Sequence, residues 1–266
     1  MARDLPDQPA PGGRDPGILD AAQAAAYLEF ADPQAVTELA AAGELPGSKV
    51  GRGWLFHQPA LRGWRARRWP ALYQRIAGPG VPDGPVLSAA QLAARLGFRA
   101  PQTVTDLAAA GELAGCKVGR GWLFAWAAIY QRIAGPGVPD GPVLSAAQLA
   151  ARLGFRDPQT VTDLAAAGEL AGCKVGGTWL FAWAAIYRRI AGPGVPDGEV
   201  LSAAQLAARI GASSPRVVRR AAGPPGTPGT LPGCRIGKQW LFALEAVLAD
   251  LDRQPEAAPA GSPALR

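Results

Sequence analysis

Histidine and cysteine are nearly missing from this chain. Its 266 residues hold one His, His57, and three Cys, Cys116, Cys173 and Cys234. A His/Cys zinc site gathers about four ligands at close spacing. Here the cysteines stand dozens of residues apart with no Cys-x-x-Cys, so neither a metal site nor a disulfide scaffold is expected. The cysteine usage fits a reducing cytoplasm. Long apolar runs are lacking as well. The longest, such as Trp122 to Tyr130, fall far below the ~18 residues that cross a bilayer. Met1 to Pro16 is polar and rich in Pro and Gly, without the apolar stretch of a signal peptide. The expectation is a soluble, cytoplasmic protein with no membrane partner. No Ser/His/Asp or Cys/His set and no phosphate-cradling loop is visible, so no catalysis, cofactor or small-molecule substrate is expected.

What is present points elsewhere. Apolar residues make up 48% and charged residues 18%, a globular rather than a solvated composition. The length suits one to three domains. The formal charge is +6 and the sequence pI is near 9.6, a lean towards a polyanionic partner. Gly 34 and Pro 26 imply many turns.

Self-similarity is the strongest signal. Val86-Leu87-Ser88-Ala89-Ala90-Gln91 recurs at Val143 to Gln148 and at Val200 to Gln205, each time 57 residues on. Between Val86 and Gly141 the second and third repeats differ at four positions: Ala100/Asp157, Arg120/Gly177, Gly121/Thr178 and Gln131/Arg188. A diverged first copy begins at Ile18 and carries eleven extra residues after Phe56. The fourth begins at Val200 and carries four extra residues before Trp240. The segment Ile-Ala-Gly-Pro-Gly-Val-Pro-Asp-Gly closes the first three copies and cannot continue a helix. The boundaries are therefore 17–84 (with a basic insert at 57–70), 85–141, 142–198 and 199–253. The ends, 1–16 and 254–266, read as disordered tails.

Repeat two shows the local plan. Ser88 and Gln91 form a capping box that starts a short apolar helix ending at Gly97. A second helix starts at Pro101, whose fixed φ suits a first turn. Asp32, Asp157 and Ser214 precede the equivalent prolines and are expected to cap there. Val104, Leu107 and Ala108 share one face of that helix, and Gly111 ends it. Cys116-Lys117-Val118 and Trp122-Leu123-Phe124 flank a Gly-rich turn and read as a hairpin. A third helix carries Trp126, Ile129, Tyr130 and Ile133. The expected order is helix, turn, helix, hairpin, helix.

That order, with Leu-Ser-x-x-Gln-x-Ala-x-x-Leu-Gly, Thr103-Val104-x-x-Leu107, Gly111-Glu112-Leu113 and Lys117-Val118-Gly119-Arg120-Gly121-Trp122, resembles the excisionase/MerR-type winged helix-turn-helix domain. Gly43 to Trp54 matches equally closely. The resemblance covers about 45 residues of each repeat. It implies a mainly α fold with short β-hairpins, in tandem winged helix-turn-helix copies, that binds DNA. The second helix would enter the major groove and the Gly-Arg-Gly wing would touch the backbone or minor groove.

DNA affinity comes mostly from Lys and Arg on phosphates. In the second helix, repeat two offers Gln102, Thr103 and Thr105 with Asp106. Repeat three offers Gln159, Thr160 and Thr162 with Asp163, and repeat one offers Gln34, Thr37 and Glu38. Repeat four instead offers Arg216, Arg219 and Arg220, with Arg235 and Lys238 at its wing. Val200 to Arg253 holds seven positive and three negative side chains. Repeat four is thus the expected main reader. The wing cations Lys49, Arg52, Lys117, Arg120 and Lys174 could hold phosphates. The insert, with Arg62, Arg65, Arg67 and Arg68 beside Trp64 and Trp69, reads as a basic solvated helix extension. Trp54, Trp122, Trp179 and Trp240 are expected to pack on the helices, and the cysteines to be small half-buried residues. His57 is expected at the surface or as a cap.

Two functions follow. One is a tandem DNA-binding protein acting on double-stranded DNA at direct-repeat sites. It would be a transcriptional regulator or recombination accessory factor on the nucleoid, with weak modules helped by linkage. The other is an interaction scaffold. In that reading the small, Ala-rich, mildly acidic second helices of repeats one to three dock a protein partner or each other.

Overall fold

The computed structural model describes residues 17–28, 30, 32–118, 121–227 and 230–253. The expected tails at 1–16 and 254–266, and Arg120, lie outside the described residues.

Each repeat opens on a strand of three residues that the sequence reading did not anticipate. In repeat one the elements are β1 (Ile18–Asp20), α1 (Ala21–Leu28), α2 (Pro33–Ala41), β2 (Ser48–Val50), β3 (Gly53–His57) and α3 (Gln58–Ala77). Repeat two gives β4 (Val86–Ser88), α4 (Ala89–Leu96), α5 (Pro101–Ala109), β5 (Cys116–Val118), β6 (Gly121–Ala125) and α6 (Trp126–Ala134). Repeat three gives β7 (Val143–Ser145), α7 (Ala146–Leu153), α8 (Pro158–Ala166), β8 (Cys173–Val175), β9 (Thr178–Ala182) and α9 (Trp183–Ala191). Repeat four gives β10 (Val200–Ser202), α10 (Ala203–Arg209), α11 (Pro215–Ala221), β11 (Ala222–Gly223), β12 (Leu231–Pro232), β13 (Cys234–Ile236), β14 (Gln239–Ala243) and α12 (Leu244–Arg253). The described chain is about half helical, with small three-stranded antiparallel sheets.

Local chemistry explains most boundaries. Ser88, Ser145 and Ser202 each accept from the backbone N–H of Gln91, Gln148 and Gln205, whose side chains return the bond. Asp20 and Gln23 form the same reciprocal pair at 2.9 and 3.0 Å. The second helices all begin on proline. Asp32 and Asp157 cap them as expected, accepting from Gln34 and Gln159. Ser214 does not cap. Its backbone is more fully extended, at φ −167° and ψ 158°, than that of Asp32 at −135° and 125°.

The first strand of each repeat pairs antiparallel with the last, and the strand just before that one completes a three-stranded sheet with the last strand at its centre, as in β4-β6-β5 and β10-β14-β13. Leu87 lies opposite Phe124, and Val86 opposite Ala125. Successive residues face opposite sides of a strand, and both sides of the second sheet are used. Phe124 is fully buried, as are Leu92 and Val104 of the same repeat. On the other side Val86, Val118, Leu123 and Ala125 join the apolar core of repeat one, with Tyr73, Ile76 and Ala77 of α3. The same joint recurs between repeats three and four. There Ile236, Leu241, Ala243 and Ala246 join Tyr187, Ile190 and Ala191 of α9. A fully buried side chain of this size is worth about 1.5–3 kcal/mol, so each joint is a major part of the core. Contacts group the chain into two halves, one ending at Tyr130 and the other starting at Gln131; each holds one such joint.

Two insertions distinguish the outer repeats. Helix α3 runs 20 residues where α9 runs 9, so the eleven extra residues of repeat one are all helical. The expected helix extension is what forms, and it contains Pro70. The extra residues of repeat four close a short parallel ladder, Ala222 with Leu231 and Gly223 with Pro232. Among the described residues no helix is long and apolar enough to cross a membrane.

Candidate nucleic-acid interface

Helix α11 is short because the ladder β11–β12 takes over at Ala222. Val218 anchors it in the core at 1% exposure. That orientation leaves Arg216, Arg219 and Arg220 exposed, since residues three and four apart share a helix face. Arg235 and Lys238, on β13 and its turn, are exposed as well. Among the described residues none of these five cations forms an ion pair with a carboxylate.

The structure brings two of the five together. Arg219 and Lys238 line one depression of about 840 Å³, with Pro215 and Trp240 beside them. Its opposite wall belongs to repeat three: Thr160, Leu164 and Glu169. Gly237 donates its backbone N–H to the Glu169 carboxylate at 3.1 Å. The turn of the fourth hairpin therefore rests on the second helix of repeat three and the segment after it. Repeat one shows the same seating. Helix α2 packs on β6 of repeat two, and the Glu38 carboxylate lies where any Cβ at Gly121 would have to go.

The polar residues of the earlier second helices are engaged in their own helices. Gln102 donates to Asp106 at 2.7 Å and Gln159 to Asp163 at 2.8 Å. Gln34 donates to Glu38 at 3.0 Å. The hydroxyls of Thr105 and Thr162 donate to the carbonyls of Gln102 and Gln159. Thr103 is exposed, and Thr160 faces the fourth hairpin across the depression.

The hairpin cations form a regular series. Lys49, Lys117, Lys174 and Arg235 stand directly opposite Trp54, Trp122, Trp179 and Trp240 in their sheets. All four cations are exposed, as is Arg52 at the first turn. Each tryptophan stacks on the phenylalanine two residues on, with ring centres 6.2 or 6.3 Å apart. This holds the indoles half-buried against the cores, as the sequence suggests. The cysteines are half-buried and free. His57 lies at the surface and makes no side-chain cap bond to α3.

Helix α3 carries five arginines and no carboxylate between Gln58 and Ala77. Arg75 pairs with Glu44 at 2.6 Å, and that hydrogen bond raises its pKa. Arg62 and Arg65 reach the hydroxyl and the carbonyl of Tyr27. Arg67 and Arg68 are exposed. Trp64 and Trp69 turn inward, into a ring cluster with Phe30 and Tyr73.

Sequence reading passed over the cation–π contacts that lock the third helices. Arg95 lies 3.9 Å over Trp126 and Arg152 lies 3.7 Å over Trp183. Both indoles are almost fully buried. The signal was available in the exact recurrence of an Arg and a Trp in two near-identical repeats.

Comparison of the chain with family models, curated proteins and solved structures finds no match.

Proposed function

We propose that this chain is a double-stranded-DNA-binding protein made of tandem winged helix-turn-helix modules, with repeat four as the main reader. It would act in the cytoplasm on nucleoid DNA as a transcriptional regulator or recombination accessory factor. The observation that carries this reading is the free cationic surface of α11. Arg216, Arg219 and Arg220 are exposed and, among the described residues, unpaired with carboxylates. Lys238 shares a depression with Arg219. Such a surface suits phosphates, and a long planar guanidinium can also reach a guanine edge. Helices α2 and α8 have the next repeat's hairpin seated beside them, whereas α11 has no following repeat among the described residues. The hairpin cations Lys49, Arg52, Lys117, Lys174 and Arg235 would add backbone contacts. Head-to-tail modules favour direct-repeat sites.

Titration on duplex DNA at two salt concentrations tests the reading. Affinity that falls steeply with salt supports it, because phosphate contacts release counterions. Salt-insensitive binding, or none, contradicts it.

A second reading, the interaction scaffold, draws on one observation. The mildly acidic second helices α2 and α8 already act as docking surfaces for the next repeat, through Glu38 in repeat one and through Leu164, with Glu169 beyond the helix end, in repeat three. A surface potential that is negative across the remaining second helices, with no duplex affinity, would favour it.

A further inference from the structure

We propose that copies of this chain assemble head to tail, by repeating between molecules the joint that already binds one repeat to the next. The proposal does not depend on DNA binding.

Within each half the joint has two sides. A third helix offers Tyr73, Ile76 and Ala77, or Tyr187, Ile190 and Ala191. The sheet of the following repeat offers Val86, Val118, Leu123 and Ala125, or Ile236, Leu241 and Ala243. Each side is also present once without a partner among the described residues. On the sheet of repeat one, Ile18 and Val50 stand where repeat two has Val86 and Val118. Their exposures are 38% and 58%, against 2% and 1%. On α12, Leu248 and Leu251 stand where α9 has Tyr187 and Ile190. Their exposures are 43% and 41%, against 4% and 0%.

Five large apolar side chains are exposed among the described residues, and four of them are these. The apolar surface is thus concentrated on two faces that are complementary by construction, because the same two kinds of face mate within each half. Unlike faces that mate give a heterologous contact, which extends rather than closing as a two-fold dimer. The sheet face is also concave: Ile18, Val50, Leu55 and His57 border a depression of about 380 Å³, which a side chain such as Leu251 can enter. The copy-to-copy joint differs from the internal one at two small positions. His57 replaces the buried Ala125 and Ala243, and Asp252 replaces the buried Ala191. These two polar groups make the joint between copies weaker than the joints inside the chain.

The test is light scattering on the full chain over a wide concentration range, with Val50→Glu, Leu251→Glu and, as a control, the exposed Val217→Glu. Mass is expected to rise above 27.4 kDa with concentration, for the wild type and for the control. Each end variant alone is expected to stay monomeric. Mixed together they are expected to form 1:1 dimers and nothing longer, since one retains an intact tail and the other an intact head. Ile18→Glu and Leu248→Glu repeat the test at a second residue on each face. A wild type of constant monomer mass overturns the proposal. So does self-association that survives Leu251→Glu, which would mean that like faces pair.

Discussion

Gly237 and Glu169 are joined by a backbone N–H to carboxylate bond of 3.1 Å, which ties the turn of the fourth hairpin to repeat three. This places a negative charge in the depression that also holds Arg219 and Lys238. The carboxylate therefore has two effects: it orders the turn and it offsets the charge of the cations proposed to meet phosphates.

Glu169→Gln separates these effects, because the amide oxygen still accepts from Gly237 while the charge is gone. At separations of several ångströms in a wet site, one charge is worth roughly 0.5–1 kcal/mol. Duplex affinity is expected to rise about threefold at low salt, and the gain is expected to fade at high salt. Fluorescence anisotropy on a labelled duplex measures it; a loss of affinity would mean that ordering the turn matters more than the charge.

Tyr73 and Tyr187 occupy equivalent positions with different bonding. The Tyr73 hydroxyl donates to the Pro82 carbonyl at 2.9 Å, whereas the buried Tyr187 hydroxyl has no partner among the described residues. Removing a bonded hydroxyl costs about 1 kcal/mol, and removing an unsatisfied one is neutral or stabilising. Tyr73→Phe is therefore expected to lower the urea midpoint and Tyr187→Phe to leave or raise it. Equal losses would contradict the assignment.

Burial raises the pKa of both phenols. The folded state then holds these protons more tightly than the unfolded state. Their contribution is full below the ordinary tyrosine pKa of about 10 and is lost as pH climbs above it. Stability is expected to decline on the alkaline side, and Tyr187→Phe to flatten that decline. A denaturation series from about pH 8 to 11 checks this; an unchanged slope in the variant would count against it.

Two serines that look alike in sequence make a further contrast. Ser202 caps α10 through a reciprocal bond with Gln205, while Ser214 makes no side-chain bond at the start of α11. Ser202→Ala is expected to cost about 1 kcal/mol and Ser214→Ala only a few tenths. Thermal unfolding of the two variants reads the difference, and a larger cost at Ser214 would show that its hydroxyl does cap.

Much of each repeat was legible because its boundaries are written in local chemistry. Ser88 with Gln91, the proline at Pro101 and the Gly-rich turn before Trp122 mark their elements without help from distant residues. The opening strand was not legible, since Val86–Ser88 is too short to show alternation. Ser214 was misjudged for a related reason: a cap depends on backbone angles that a residue type does not set. The joints were invisible for a deeper one. Val50 and Val118 share the run Lys-Val-Gly-Arg-Gly-Trp, yet one is 58% exposed and the other 1%. What buries Val118 is the preceding repeat, which no local pattern encodes. The cationic surface of α11 was readable from its three arginines. The Glu169 carboxylate beside the depression that Arg219 lines comes from 50 residues away in the chain, and only the fold reveals it.

The claim that repeat four grips duplex DNA is tested most directly by the slope of log affinity against log salt. The wild type is to be compared with Arg219→Ala/Arg220→Ala and with Thr105→Ala/Asp106→Ala. The first variant is expected to lose about tenfold or more in affinity, with the slope reduced by about two contacts. The second is expected to change little. Equal losses in both, or a wild-type affinity that ignores salt, would contradict the claim.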